Sequence, residues 1–289
     1  MNGLGTAKAQ ATATEPPRIE KIRRELIEAI PRVPNDRTSL AKMQQKHLPE
    51  LLVHYFNWRS RYVGMRPRTV TVETAAQTDP RWSALAPAIK AFLAKVRRGD
   101  DLTPHLSFKP HTRGYAHAAS APRATTEDRW EDKDFLLNTM DYHHFHLSAA
   151  KEDRRQSNDL IFAKADRDTF KVIAIFGHEV FDQNSAERER LWAVHQEVAF
   201  RAVAPGAVVI MSDIQKSGHA GRVVRFAQHC GRLIRQIEPT LDGPDVVKKL
   251  YRSRPDAPDN TKLEWAFVHL DLAIFDAGKP LVLVAEGWN

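Results

Sequence analysis

Histidines are the residues of this chain with the clearest capacity for acid and base chemistry. His144 and His146 stand two positions apart in the run DYHHFHLS, and His178 ends a later apolar run. Side chains two positions apart in an extended chain point to the same face, so His144 and His146 lie opposite Phe145 and Leu147. Histidine titrates near neutral pH and can give or take a proton. The three histidines are therefore candidate catalytic residues.

Metal-free cleavage of a phosphodiester is the reaction that this set suits best. One histidine can act as general base and another as general acid when an RNA 2′-hydroxyl attacks phosphorus. We expect His178 or His146 in these roles, with Arg154 or Arg155 stabilising the negative charge of the transition state. A reaction of this kind needs no cofactor.

Metal binding is the alternative use of the same residues. An HxH pair on one strand face can chelate a metal, and His178 or Asp141 would complete a three-ligand site for zinc or iron. The chain contains no HExxH or CxxC motif. A metal-dependent hydrolase, with His144, His146 and His178 as ligands, is therefore the second alternative.

The charge balance favours a nucleic acid as partner. The formal net charge is +7 and the isoelectric point is about 9.5, and such an excess attracts polyanions by neutralising phosphates. Arg59, Arg61, Arg66 and Arg68 fall within one short stretch and are the candidate nucleic-acid-binding residues. RNA is preferred to DNA because only RNA carries the 2′-hydroxyl. The first alternative is a non-enzymatic basic protein that binds or assembles on nucleic acid, with structural histidines.

A candidate phosphate site precedes a predicted helix near residue 223. Ser217, His219 and Arg222 stand in a polar, glycine-containing segment. Backbone N–H groups at a helix N-terminus bind anions, and these side chains would assist. The simpler interpretation is that Ser217 caps the helix.

Periodicity predicts the elements that must position these residues. The run TFKVIAIF is apolar on both faces, which is typical of a central strand. With HHFHL and LIFAKA it predicts an antiparallel meander. Apolar residues at helical spacing predict further helices at about 17–30, from Thr38 or Ser39 to 56, at 79–96, at 185–202 and at 223–237.

The predicted fold class is α+β, a helical N-terminal part followed by a mainly antiparallel sheet packed with helices. We expect a disordered tail at 1–16, a helical region at 17–98, a loop or linker at 99–133 and an α+β domain with a central antiparallel sheet at 134–289. His105, His111 and His117 fall in the loop or linker at spacings that suit no common metal motif. We expect them to be exposed to solvent.

Part of this region resembles a known family. The run SNDLIFAKADRDTFKVIAIFGHEVF, with HHFHLS before it, is similar over about residues 141–181 to the core of RelE/ParE-type toxins. Gly177, His178, Val180 and Phe181 match the closing Gly-His and V-Y or V-F pattern. The arginine usual in the family's middle strand is absent at Asn158–Leu160. The resemblance implies an antiparallel sheet on helices and, for many members, metal-independent ribonuclease activity.

Composition sets the remaining expectations. The chain has no apolar run long enough to cross a membrane and no secretory leader, so no membrane partner is expected. A single cysteine, Cys230, fits a reducing compartment, and we expect a cytoplasmic protein. A second copy of the chain or an inhibitor protein is a further candidate partner. The predicted function is action on nucleic acid, as a ribonuclease-like or toxin-like effector.

Overall fold

A computed structural model of the chain has an α+β fold, as the sequence predicts. It describes residues 15–107, 109–116, 134–148, 158–201, 203–204, 206–207, 214–251 and 261–289. Within these residues the helices are α1 Pro17–Ala29, α2 Arg37–Gln44, α3 Leu48–Arg59, α4 Thr74–Gln77, α5 Pro80–Ala84, α6 Ala86–Arg98, α7 Lys109–Thr112, α8 Phe135–Met140, α9 Ala186–Phe200, α10 Gly221–Ile237 and α11 Pro244–Leu250. The strands are β1 Arg32–Val33, β2 Thr69–Val72, β3 Tyr115–Ala116, β4 His143–His146, β5 Asp159–Ala165, β6 Thr169–Gly177, β7 Leu263–Val268, β8 Asp271–Asp276 and β9 Lys279–Ala285.

The central sheet has four strands in the order β2-β6-β5-β4. Strands β4, β5 and β6 are successively antiparallel, which confirms the predicted meander. Strand β2 comes from the N-terminal part and pairs parallel with β6, from Thr69 beside Thr169 to Val72 beside Val172. The N-terminal part therefore supplies one strand of the central sheet.

Both faces of this sheet are buried, and the residues of β6 alternate between them, except that a bulge at Ile173 shifts the alternation by one residue. Phe170, Val172 and Ile175 belong to a core that includes the apolar face of α6. Ile173 and Phe176 belong to a second core, which is closed by α9. Each large side chain removed from water in this way contributes about 1.5–3 kcal/mol to folding. The burial explains why β6 is apolar along almost its whole length.

A second sheet, β7-β8-β9, packs with the N-terminal helices. Its core combines residues of α1, α3, α10 and all three strands. Trp265 of β7 is 1% exposed, and its indole N–H donates to Glu238 Oε2 over 2.6 Å. The predicted hairpin between β8 and β9 is present, with its turn at Asp276–Lys279. The run LEWAFVHLDLAIF contains two strands, because His269 has a positive φ of 57° and reverses the chain.

Two predicted helices are each divided in the structure. The helix predicted at 79–96 consists of α5 and α6, which separate at Leu85. The second helix starts after Asp36, whose carboxylate accepts a hydrogen bond from Ser39 N over 2.7 Å. It stops at Gln44, and a separate helix, α3, begins at Leu48 with Pro49 in its first turn. Proline lacks the N–H that a continuing helix needs, so it starts helices and interrupts them. Among the described helices, none is both long and apolar enough to cross a membrane.

Candidate functional site

Three histidines predicted to be catalytic line one cleft of about 720 Å³. His144 and His146 project from β4, and His178 follows the last residue of β6. The strand register brings them together: His146 lies beside Leu160 of β5, and Asp159 lies beside Gly177 of β6. The imidazole centroids of His146 and His178 are 5.3 Å apart. The meander thus turns residues distant in sequence into one histidine cluster.

The orientation of His178 is set by the main chain. Both its backbone N–H and its ring Nδ1 lie 3.0 Å from the carbonyl oxygen of Asn158. A carbonyl oxygen can only accept, so Nδ1 carries a hydrogen and Nε2 is the nitrogen that can take a proton. The contact therefore fixes the tautomer that a general base requires.

Gly177, which precedes His178, lets a carboxylate approach the backbone. A Cβ atom at this position would collide with Glu179 Oε2. The other oxygen of that carboxylate accepts a hydrogen bond of 2.6 Å from the side-chain amide of Asn158. Asn158 and Glu179 are therefore linked across the strand ends, and Asn158 also holds the His178 ring.

His144 is partly buried and differs chemically from His178. Burial lowers the pKa of His144, and the nearby charge of Lys109 acts in the same direction. Its Nδ1 atom has no hydrogen-bond partner among the described residues. Its ring centroid is 5.2 Å from that of Phe181. His144 is therefore expected to be neutral at pH 7.

His105 supports the strand that carries His146. Its Nδ1 donates to the main-chain oxygen of His146 over 2.7 Å, and its Nε2 lies 3.1 Å from Lys95 Nζ. The side chain is 2% exposed, so the expectation that His105 is exposed to solvent was wrong. His111 is exposed, and His117 lies outside the described residues.

The cleft carries an excess of positive charge. Besides the histidines, the described residues of its lining include four cationic side chains and one carboxylate, namely Arg61, Lys109, Arg113, Arg188 and Asp134. Asp134 caps α8 by accepting a hydrogen bond from Leu137 N over 3.1 Å. A cationic concave surface concentrates polyanions near its histidines.

Exposed aromatic rings border the same cleft. Phe135 is 51% exposed and Phe181 is 41% exposed. The Arg188 guanidinium lies 5.6 Å from the Phe135 ring centroid, within the range of a cation–π contact. The cleft thus combines histidines, cations and aromatic faces.

The four clustered arginines do not form one exposed patch. Arg61 and Arg68 are each 4% exposed, and only Arg61 of the four lines the cleft. The Arg68 side chain donates to the main-chain oxygens of Gly64 and Asp166, and burial lowers its pKa to about 10. These contacts give Arg68 a role in holding the chain between α3 and β2. Arg61 Nη1 donates to the main-chain oxygen of Arg113.

The other two arginines have neighbours of their own. Arg66 pairs with Asp271 at 3.2 Å. The Arg59 guanidinium lies 4.9 Å from the Tyr62 ring centroid. Neither residue belongs to the lining of the histidine cleft.

The predicted phosphate site lies beside the start of α10. Ser217 Oγ is 3.0 Å from His219 Nδ1, and His219 is 4% exposed. Arg222 forms an ion pair with Asp141 and stacks on Trp288 at 5.0 Å. Ser217 does not cap the helix, because the N-cap position is Ala220. The three residues lie outside the histidine cleft.

The structure also bears on the metal alternative. Within the part of the chain that is described, no group of three or more His, Cys, Asp or Glu side chains is arranged to hold a metal ion. His144, His146 and His178 share a cleft without the geometry of a three-ligand centre. Arg154 and Arg155, the predicted transition-state cations, lie outside the described residues.

Several cleft residues were missed by sequence reasoning. Lys109 and Arg113 stand in the segment interpreted as loop or linker, and Arg188 stands on a helix with many charges. Nothing in their spacing distinguishes them from solvent-exposed cations. Phe135 and Phe181 belong to short apolar runs, which predict burial.

Comparison of the chain with protein-family models, with curated proteins and with solved structures gives no match. The resemblance of residues 141–181 to RelE/ParE-type toxins therefore stays a prediction. The fold and the cleft define the chain as an α+β protein with a histidine-lined, cationic surface depression, and its function is argued from that site.

Proposed function

We propose that the protein is a metal-independent ribonuclease-like effector that acts in the histidine cleft. The observation that carries the proposal is that three histidines and four cationic side chains line one depression. Histidine pairs supply general acid and base at neutral pH, and cations stabilise a phosphorane without a metal. The resemblance to RelE/ParE-type toxins supports the same reaction class.

In the proposed reaction His178 is the general base. Its Nε2 takes the proton of an RNA 2′-hydroxyl as that oxygen attacks the neighbouring phosphorus. The bond from phosphorus to the 5′-oxygen breaks, and protonated His146 donates a proton to the leaving oxygen. The products are a 2′,3′-cyclic phosphate and a 5′-hydroxyl, so no water or oxidant is consumed. The 5.3 Å between the two ring centroids lets both rings reach one phosphate group.

Cations would stabilise the charge that develops on the phosphorus oxygens. Lys109 and Arg188 line the cleft and are the described candidates, and Arg154 and Arg155 remain candidates from the sequence. His144, neutral because burial lowers its pKa, would exchange one hydrogen bond with the substrate. No cofactor takes part in this scheme.

The test is cleavage of end-labelled RNA in the presence of EDTA, by the wild type and by His178→Ala and His146→Ala. The matched control is His229→Ala, because His229 is exposed on α10 and lies outside the cleft lining. We expect cleavage by the wild type and the control, and a loss of about 10²–10⁴-fold in each cleft variant.

Two further results would separate the alternatives. RNA with a single 2′-deoxyribose at the cleavage site should resist cleavage there, because the attacking oxygen is missing. Intact RNA after incubation with wild type, with EDTA and with added zinc or manganese, would contradict the proposal. Salt-dependent binding without turnover would then favour the non-enzymatic binding protein, whereas cleavage only with added metal would favour the metal-dependent hydrolase.

A further inference from the structure

We infer that the cleft selects single-stranded nucleic acid by stacking an unpaired base on Phe181. This inference deepens the proposed function and rests on it for the identity of the ligand. Phe181 would determine specificity without acting as acid, base or phosphate ligand. The substrate class would be single-stranded nucleic acid.

The placement of Phe181 is the first observation. Phe181 ends the short 3-10 turn His178–Phe181, in which Val180 is fully buried while Phe181 is 41% exposed. Its ring centroid lies 5.2 Å from that of His144 and 6.2 Å from that of His178. Val180 thus packs in the core and holds the turn, and the Phe181 ring lies beside the histidines.

The second observation is the packing behind the ring. The Phe181 centroid lies 6.4 Å from that of Phe162, whose side chain is fully buried in β5. Phe181 thus has a buried aromatic ring of the sheet core beside it and is itself partly exposed. A supported ring loses little conformational freedom when a base stacks on it.

Phe135 and Arg188 extend the same surface. Phe135 is 51% exposed, and Arg188 lies within cation–π distance of Phe135 and of Trp192, at 5.6 Å and 6.0 Å. Both Phe135 and Arg188 line the cleft. A guanidinium held over aromatic rings can itself stack on a base or contact a phosphate.

Exposure alone does not carry the inference. Phe200, at the end of α9, is 43% exposed and does not line the cleft. What distinguishes Phe181 is its combination with neighbouring histidines and with cations in one depression. Aromatic faces interleaved with cations are the common means of holding unpaired bases, whereas bases in a duplex are already stacked on each other.

The experiment measures binding separately from cleavage. A fluorescein-labelled 2′-O-methyl oligonucleotide of about ten residues cannot be cleaved by the proposed route, and it would be titrated by fluorescence anisotropy, alone and annealed to its complement. The proteins are wild type, Phe181→Ala, Phe181→Trp and Phe200→Ala, with circular dichroism as a folding check.

We expect the single strand to bind wild type at least tenfold more tightly than the duplex. Phe181→Ala should weaken single-strand binding by roughly 5–150-fold and change duplex binding less than about twofold. Phe181→Trp should retain binding, because indole stacks at least as well, and Phe200→Ala should match wild type. Equal affinity for both strand states, or an unchanged Kd in a folded Phe181→Ala protein, would overturn the inference.

Failure of the inference and failure of the proposed function have different signatures. Selective single-strand binding that depends on Phe181, without RNA cleavage by wild type, would retain stacking and reject the ribonuclease. Cleavage that depends on His178, with binding indifferent to Phe181, would retain the ribonuclease and reject stacking.

Discussion

His146 and His178 lie with their ring centroids 5.3 Å apart, although one belongs to an edge strand and the other follows the end of a strand two places away in the sheet. Strand β5 stands between them in the sheet order. His178 crosses this gap because it lies in the 3-10 turn that follows β6, where its ring is held by the carbonyl of Asn158 at the start of β5. Because the two rings are this close, the proposed acid and base can act on the same phosphate group.

The pH dependence of cleavage should show two limbs. kcat/KM should rise and then fall with pH, because the proposed reaction needs one unprotonated base and one protonated acid. In His178→Ala the residual activity should lose the rising limb, and in His146→Ala it should lose the falling limb. Single-turnover cleavage in EDTA at several pH values measures this. If the pH profile keeps the same shape in both variants, then other groups carry out the proton transfers.

The salt dependence of binding should identify Lys109 as a phosphate contact. Lys109 is an exposed cation of the cleft lining. Lys109→Gln should reduce the slope of log affinity against log salt by about 0.7, the value for one phosphate contact with a single strand. Lys279→Gln, at the exposed first residue of β9, is the matched control with the same charge change. If the two variants give equal slopes of log affinity against log salt, then the nucleic acid does not contact Lys109.

Gly177→Ala should impair activity more than stability. The added Cβ would collide with Glu179 Oε2, and the carboxylate would move away from Asn158, whose carbonyl orients His178. Because the clash involves the end of a flexible side chain, we expect unfolding free energy to fall by less than about 1 kcal/mol. We expect kcat to fall by about tenfold or more, since small displacements of a catalytic group are costly.

The double variant Gly177→Ala/Glu179→Ala separates the two effects. Removing the carboxylate relieves the collision, so the double variant should be no less stable than Gly177→Ala. Its activity should match that of Glu179→Ala alone. If Gly177→Ala is fully active, then the carboxylate contact does not position His178.

Asp79 should be important for stability because it joins the start of α5 to α9. Its side chain is 4% exposed and pairs with Arg190 at 2.7 Å and with Arg81 at 2.8 Å. Burial opposes ionisation of Asp79, but hydrogen bonds from Arg81 outweigh it and lower its pKa. Asp79→Asn removes this carboxylate, while Arg81 and Arg190 keep Glu187 at 3.3 Å and 3.6 Å. The variant should cost about 1–3 kcal/mol in denaturant unfolding.

The control for Asp79 is an exposed ion pair of similar geometry. Asp242 pairs with Arg18 at 2.8 Å, and its side chain is 81% exposed. Asp242→Asn should cost about 0–1 kcal/mol, because solvent screens the pair. Equal losses for the two variants would show that burial of Asp79 is not what makes its ion pairs important.

Stability should fall as the pH drops from 6.5 towards 4. Burial lowers the pKa of His269 to about 4, from an ordinary value of 6.5, and the hydrogen bond to Asn289 opposes this shift. Between these values the unfolded chain binds a proton that the folded chain does not, so the free energy of unfolding decreases as pH falls. Each unit of pKa difference corresponds to about 1.4 kcal/mol.

His269→Asn isolates this contribution. Asparagine tolerates the positive φ of 57° at this position and does not titrate. The variant should lose less stability than wild type when chemical unfolding at pH 7 is compared with unfolding at pH 5. His143 and His144 also have pKa values lowered by burial and contribute with the same sign, so a smaller slope is expected and not a flat one.

The alternation of apolar residues predicted much of the fold of this protein from the sequence alone. The apolar faces of β6 predict a central strand, and the pattern of HHFHL predicts that His144 and His146 share a face, because side chains in a strand must alternate. The α+β class, the meander and the β8–β9 hairpin follow from the same local rules. These features depend on residues near one another in the chain.

Tertiary structure decided which distant residues meet. His178 and His146 come together because of the strand register. β5 pairs with β4 on one side and with β6 on the other, and these two pairings bring the end of β6 close to His146. Buried Arg61, Arg68 and His105 donate to main-chain oxygens of other segments, those of Arg113, Asp166 and His146 respectively. The periodicity of the sequence does not predict those contacts. Whether a cationic side chain is exposed or buried depends on packing between segments that are distant in the chain. For the same reason the cleft residues Lys109 and Arg188 became visible only in the folded chain.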